Sequence, residues 1–172
     1  MTVEEFCSPR NTAHLTAMAN QVIIDESPVS YALIGKRILE ACGITKNSAK
    51  VKERIDYLIR ATRVKPAPEG AVLFFWKSGS DPMAYDFYRI PSGGDVRDAE
   101  DIHPAEAACA MLEAIKEQYG MPEEAALAAG SRKLGLVRMT PAVRELMSRG
   151  MTILKDENAV TLDEHGMLQA IM

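Results

Sequence analysis

The sequence predicts an α+β, mainly helical fold made of two tandem units, each of three helices followed by a β-hairpin. Three observations carry this reading. Apolar residues recur at helical spacing in six stretches, most of them opened by a capping residue or a proline. Short runs of β-branched and aromatic residues follow the third and the sixth stretch. A polar run, Pro91-Ser92-Gly93-Gly94-Asp95, separates the two sets. The units are therefore placed at residues 1–92 and 102–172, with a linker at 93–101.

In the first unit, Ser8-Pro9 reads as a helix start, and Leu15, Met18, Ala19, Val22 and Ile23 form one apolar stripe. Ser27-Pro28 repeats the start signal. Leu33, Ile34, Ile38, Ala41 and Cys42 then make a second stripe that Gly43 closes. A third helix is predicted from Asn47 or Ser48, with Val51, Ile55, Leu58, Ile59 and Thr62 on one side. Pro66 and Pro68 end helical structure. Ala71–Trp76 and Asp86–Ile90 read as two strands around a loop at Lys77–Pro82. Three helices and then a hairpin is the order of a winged helix-turn-helix, here with a large wing.

In the second unit, Pro104 opens a helix that buries Ala108, Met111, Leu112, Ile115 and Tyr119. Pro122 opens another, ending near Gly135, and Thr140-Pro141 a third, with Gly150 as its stop. Thr152–Leu154 and Ala159–Leu162 are predicted to pair across Lys155–Asn158, giving a second and more compact winged-helix-like pattern. The tail from Asp163 onward carries Met167, Leu168 and Ile171 as apolar candidates for docking on a neighbour.

Composition excludes several classes. Hydrophobic residues make up 47% and charged residues 26%, enough for a packed core under an ordinary surface. The net charge of -4 conceals an asymmetry: residues 1–90 hold 12 Lys and Arg against 10 acids, and residues 91–172 hold 8 against 14. An acidic chain is not a nonspecific coat for nucleic acid, but Lys36–Lys65 carries 9 basic and 3 acidic residues and allows a local basic face. Cys7, Cys42 and Cys109 stand apart without a CxxC, so neither a disulfide framework nor a zinc site is expected. No apolar run reaches the length of a membrane span, and a reducing cytoplasm is the expected setting.

No catalytic constellation emerges. Gly130–Gly135 is glycine-flanked but lacks the Lys-Ser/Thr that a phosphate-cradling loop needs. His14, His103 and His165 are isolated, and His103 before Pro104 reads as a helix cap. Glu123-Glu124 opens a helix, where acids suit the macrodipole. No catalytic residue, metal ligand or cofactor is assigned.

Two basic sets are candidates for DNA contact. Lys46, Lys50, Lys52, Arg54, Arg60 and Arg63, with Lys65, lie on or beside the third helix, the recognition element of a winged helix. Arg132, Lys133, Arg138, Arg144 and Arg149 form the second set, interrupted only by Glu145. A solvated charged face competes with DNA contact for the first set, and a role of Arg132 or Arg138 in tying the helix-turn-helix together competes with it for the second. Among the six aromatics from Phe74 to Tyr88, core packing is the plain reading, and Trp76 is the candidate for base stacking. Arg37 and Arg89 flank core positions. At least one of them is expected to pair with a carboxylate, with Asp25, Glu26 and Glu40 as candidates.

Several blocks carry a family resemblance: Ile23-Ile24-Asp25-Glu26-Ser27-Pro28-Val29, Lys36-Arg37-Ile38 with Gly43, Phe75-Trp76, Phe87-Tyr88-Arg89, Asp101-Ile102-His103-Pro104-Ala105-Glu106-Ala107, and Glu123-Glu124 through Arg138. From Ile23 to Leu162 the chain resembles the C-terminal domain of unknown function of large bacterial proteins related to superfamily I DNA helicases, which sits beside a restriction-endonuclease-like domain. Ser27 departs from the Glu-Gly-Pro usual there. The resemblance implies helicase and nuclease domains of a parent protein as partners, with any catalysis in those domains. It supplies no catalytic residue here. The expected function is a non-catalytic DNA-binding or docking accessory module, the alternative being a protein–protein interaction module without direct DNA contact.

Overall fold

The computed structural model describes residues 1–46 and 48–171. The fold is α+β and mainly helical, as expected. It divides into two compact units, Met1–Ser80 and Asp81–Met172, each with its own apolar core.

The first unit opens with a short helix α1 (Val3–Cys7), which the sequence reading misses. Thr2 and Glu5 form a capping box over it, and Phe6 is fully buried. Ser8 then caps a single 3₁₀ turn, Pro9–Asn11, that leads into α2 (Thr12–Glu26). Leu15, Ala19 and Ile23 are the buried part of its stripe. Ser27-Pro28 does not start a helix. Ser27 ends α2, and Val29–Ser30 form the short strand β1. Ser30 is the actual cap of α3 (Tyr31–Cys42), its hydroxyl accepting from Leu33 N at 3.0 Å. Gly43 closes α3 in the left-handed region at φ 66°, as its position after the stripe predicts. Asn47 lies outside the described residues. Ser48 caps α4 (Ala49–Ala61), which buries Val51, Ile55, Leu58 and Ile59.

The wing differs from expectation. Strands β2 (Ala67–Glu69) and β3 (Val72–Phe75) pair around Gly70-Ala71, and β1 joins the other edge of β3, so the antiparallel order is β1-β3-β2. Asp86–Ile90 is not a strand. It belongs to a non-helical segment of the second unit held on the next helix, α5 (Pro104–Glu117). Glu106 of α5 is completely buried and accepts from both Arg89 and Arg97. The Arg89 main-chain N–H also donates to Glu106 Oε2, at 3.1 Å. The linker assigned to 93–101 is thus incorporated into the second unit, and the join falls between Ser80 and Asp81. The polar composition of 91–101 conceals the buried Arg97.

Helices α6 (Glu123–Lys133) and α7 (Pro141–Asp156) complete the second core. His103 caps α5, with Nδ1 accepting from Ala105 N at 3.1 Å. Gly150 does not stop α7. A Cβ there would meet Ala107 Cβ and Ala108 N at 2.9 Å, so this glycine permits a close crossing of α5. Thr152–Leu154 are consequently helical, and the real hairpin is β4 (Val160–Leu162) with β5 (Leu168–Ala170). Asp163 organises its turn by accepting from His165 N, Met167 N and Gln169 Nε2. The partner of β4 thus comes from the tail, not from Thr152–Leu154.

Arg37 forms the expected ion pair. Its Nε lies 2.7 Å from Glu26 Oε1, and its Nη1 lies 3.3 Å from Glu40. Arg89 pairs with Glu106, a residue outside the three expected candidates.

Candidate nucleic-acid interface

Helix α4 positions most of the first basic set. With Val51, Ile55, Leu58 and Ile59 turned into the core, Lys50, Lys52, Glu53, Asp56, Tyr57 and Arg60 are exposed. Lys46 precedes the helix, and Arg63 follows it in the left-handed region at φ 62°; both are exposed. Lys46, Lys50, Lys52 and Arg63 have no carboxylate partner among the described residues.

Arg54 behaves differently. Its Nε donates to the Phe6 carbonyl at 3.0 Å, and its Nη2 donates to the Ser8 carbonyl and Thr12 Oγ1, both at 2.9 Å. The guanidinium also sits 5.5 Å from the Tyr57 ring centroid. This side chain staples α1 and the start of α2 to α4, with Nε and Nη2 engaged by acceptors inside the unit. Arg60 remains exposed while its Nε donates to the Asp56 carbonyl at 3.2 Å. Trp76 follows β3 and is half-buried, and the next residue, Lys77, donates its N–H to Ser27 Oγ. Phe74 and Phe75 belong to the interior.

The second basic set is less available. Lys133 Nζ lies 2.9 Å from Glu117 and 3.2 Å from Glu113, contacts that hold its ammonium above the usual lysine range. Tyr88 donates its hydroxyl to the same Glu113. Arg144 Nη1 is 3.0 Å from both oxygens of Glu124. Arg149 is half-buried on α7. Arg132 and Arg138 are exposed without a carboxylate partner among the described residues.

Residues 4–53 match the model of a family described as a protein of unknown function (DUF3320). The match runs from α1 into α4, so it takes in Lys46, Lys50 and Lys52 but stops short of Arg54, Arg60 and Arg63. It starts before the block at Ile23 on which the sequence resemblance rests, and it leaves the second unit unmatched. No curated protein and no solved structure matches the chain.

Sequence reasoning gave no role to Glu106, although an acid amid the apolar positions Ala107, Ala110 and Met111 of a predicted helix was a readable signal. The site adds a groove along α3 and α4 that the sequence does not announce. Among the described residues no group of three or more His, Cys, Asp or Glu is placed to hold a metal ion, and no helix is long and apolar enough to cross a membrane.

Proposed function

We propose that the chain is a non-catalytic DNA-binding accessory module whose first unit works as a winged helix with α4 as its recognition element. The supporting observation is the set of cations Lys46, Lys50, Lys52 and Arg63, which lie on and around one exposed helix with no carboxylate partner among the described residues. Cations left unpaired by the fold are available to displace counterions from phosphates. The order α2, β1, α3, α4, β2, β3 presents α4 next to a short wing, the arrangement in which such a helix enters a major groove. The resemblance to helicase-related proteins supports a place beside helicase and nuclease domains of a parent protein in the cytoplasm, with the chemistry in those domains. In the second unit, Lys133 and Arg144 are engaged by carboxylates, so DNA contact there reduces to Arg132 and Arg138.

Fluorescence anisotropy of the intact chain with labelled duplex, forked and single-stranded DNA tests the reading. Binding at low salt that is lost in Lys46→Glu/Lys50→Glu is expected. Absence of binding at low salt, or binding indifferent to that double variant, overturns it.

A further inference from the structure

Two cavities adjoin on the first unit and share Tyr31 and Asp56 in their walls. The larger, about 600 Å³, runs between α3 and α4 over Ala32, Gly35, Leu39, Ile44 and Ile55. Gly35 keeps its floor low: a Cβ there would stand 3.1 Å from Ile55 Cγ2. The smaller, about 310 Å³, lies between α4 and the sheet, over Ile59, Val64, Pro66, Leu73 and Phe75. The hydrogen bond from the Tyr31 hydroxyl to Asp56 stands where the two meet. Apolar floors of this kind accept side chains, whereas a phosphate would lose its hydration there without compensation.

The rim carries a charge preference. Lys36, Lys52 and Arg60 stand around the two chambers against Glu40 and Asp56. Both acids already have internal partners. Glu40 is approached by Lys36 at 4.0 Å and Arg37 at 3.3 Å, and Asp56 accepts from Tyr31. Lys52 and Arg60 have no carboxylate partner among the described residues. The rim charge left unmet is therefore positive.

We propose that this double groove binds an acidic amphipathic segment of a partner protein, which places one apolar side chain in each chamber and its carboxylates against Lys52 and Arg60. Two apolar anchors with a polar bridge between them is the pattern of an amphipathic helix laid into a groove. The site shares Lys52 with the DNA reading but not its floor, which is formed by apolar residues that no phosphate contact uses.

The test is a titration of the ¹⁵N-labelled intact chain with a glutamate-rich helical peptide carrying two leucines two turns apart, and with its lysine-for-glutamate counterpart. The glutamate peptide is expected to shift amides lining both chambers. Ala32→Trp, which fills the larger chamber from an exposed position, and Arg60→Glu should each weaken it by roughly tenfold. Lys50→Glu, outside the groove, should leave it unchanged while weakening DNA. Native amide dispersion in each variant separates lost binding from lost folding. Equal binding of the lysine peptide, shifts that map elsewhere, or no response to the glutamate peptide would each overturn the proposal.

Discussion

Arg97 grips Glu106 through both carboxylate oxygens, with Nη1 to Oε1 at 2.6 Å and Nη2 to Oε2 at 2.8 Å. Glu106 is completely buried on α5, and Arg89 adds a third guanidinium contact at 2.8 Å. The clamp makes the segment around residues 89–97 part of the second core. Removing one partner strands a buried charge, so Glu106→Ala should cost about 3–5 kcal/mol. Chemical denaturation checks the size, and hydrogen exchange should show loss of protection near Arg89 and Arg97. A loss under about 1 kcal/mol would refute a structural role.

The same clamp makes stability depend on acid. Burial alone pushes the Glu106 carboxyl up, but the hydrogen bonds and charges of Arg97 and Arg89 outweigh it and hold it below the usual glutamate range. A carboxyl lowered in the folded state contributes stability that is fully present above its unfolded value, about 4.3, and is lost as pH falls through the folded value. Wild-type stability is expected to decline below about pH 4, and Glu106→Gln should remove part of that slope. Parallel pH profiles of the two proteins would speak against the assignment.

Arg54 and Lys50 sit four positions apart on α4, yet they should respond oppositely. Arg54→Ala removes three hydrogen bonds to Phe6, Ser8 and Thr12 and should cost about 1.5–3 kcal/mol while loosening α1. Lys50→Ala should leave thermal stability unchanged and weaken DNA binding. Equal stability of the two variants would remove the distinction.

The salt dependence of DNA affinity reports how many phosphates are neutralised. Each cation of the α4 set that contacts a phosphate should lower the slope of log affinity against log salt by about 0.9 when replaced by alanine. Lys133→Ala, already paired with Glu113 and Glu117, is expected to leave the slope unchanged. A slope change at Lys133 as large as that at Lys50 would move the interface to the second unit.

Gly150→Ala improves intrinsic helix propensity but inserts a methyl 2.9 Å from the Ala108 backbone nitrogen. Overpacking should prevail, with a loss of about 1–3 kcal/mol in denaturant unfolding. A stabilised variant would mean that α5 and α7 separate easily.

Local signals in the sequence determined most helices. Ser48, His103 and Thr140-Pro141 announce their caps, Gly43 its stop, and the stripes at 51–59 and 143–147 their buried faces, because caps and periodicity act within one or two turns. The exposed cations of α4 were legible for the same reason, since a helix with one apolar face must turn the rest outward. What depended on partners distant in the chain was not legible. Gly150 reads locally as a stop and becomes a crossing point only because α5 lies against it. Asp86–Ile90 has strand composition, but β3 takes its second neighbour from Val29-Ser30 while Arg89 is drawn to Glu106. Arg54 cannot be told from Lys50 by composition. Its stapling role comes from the carbonyls of Phe6 and Ser8, 48 and 46 residues away, which accept from its Nε and Nη2 only in the folded chain.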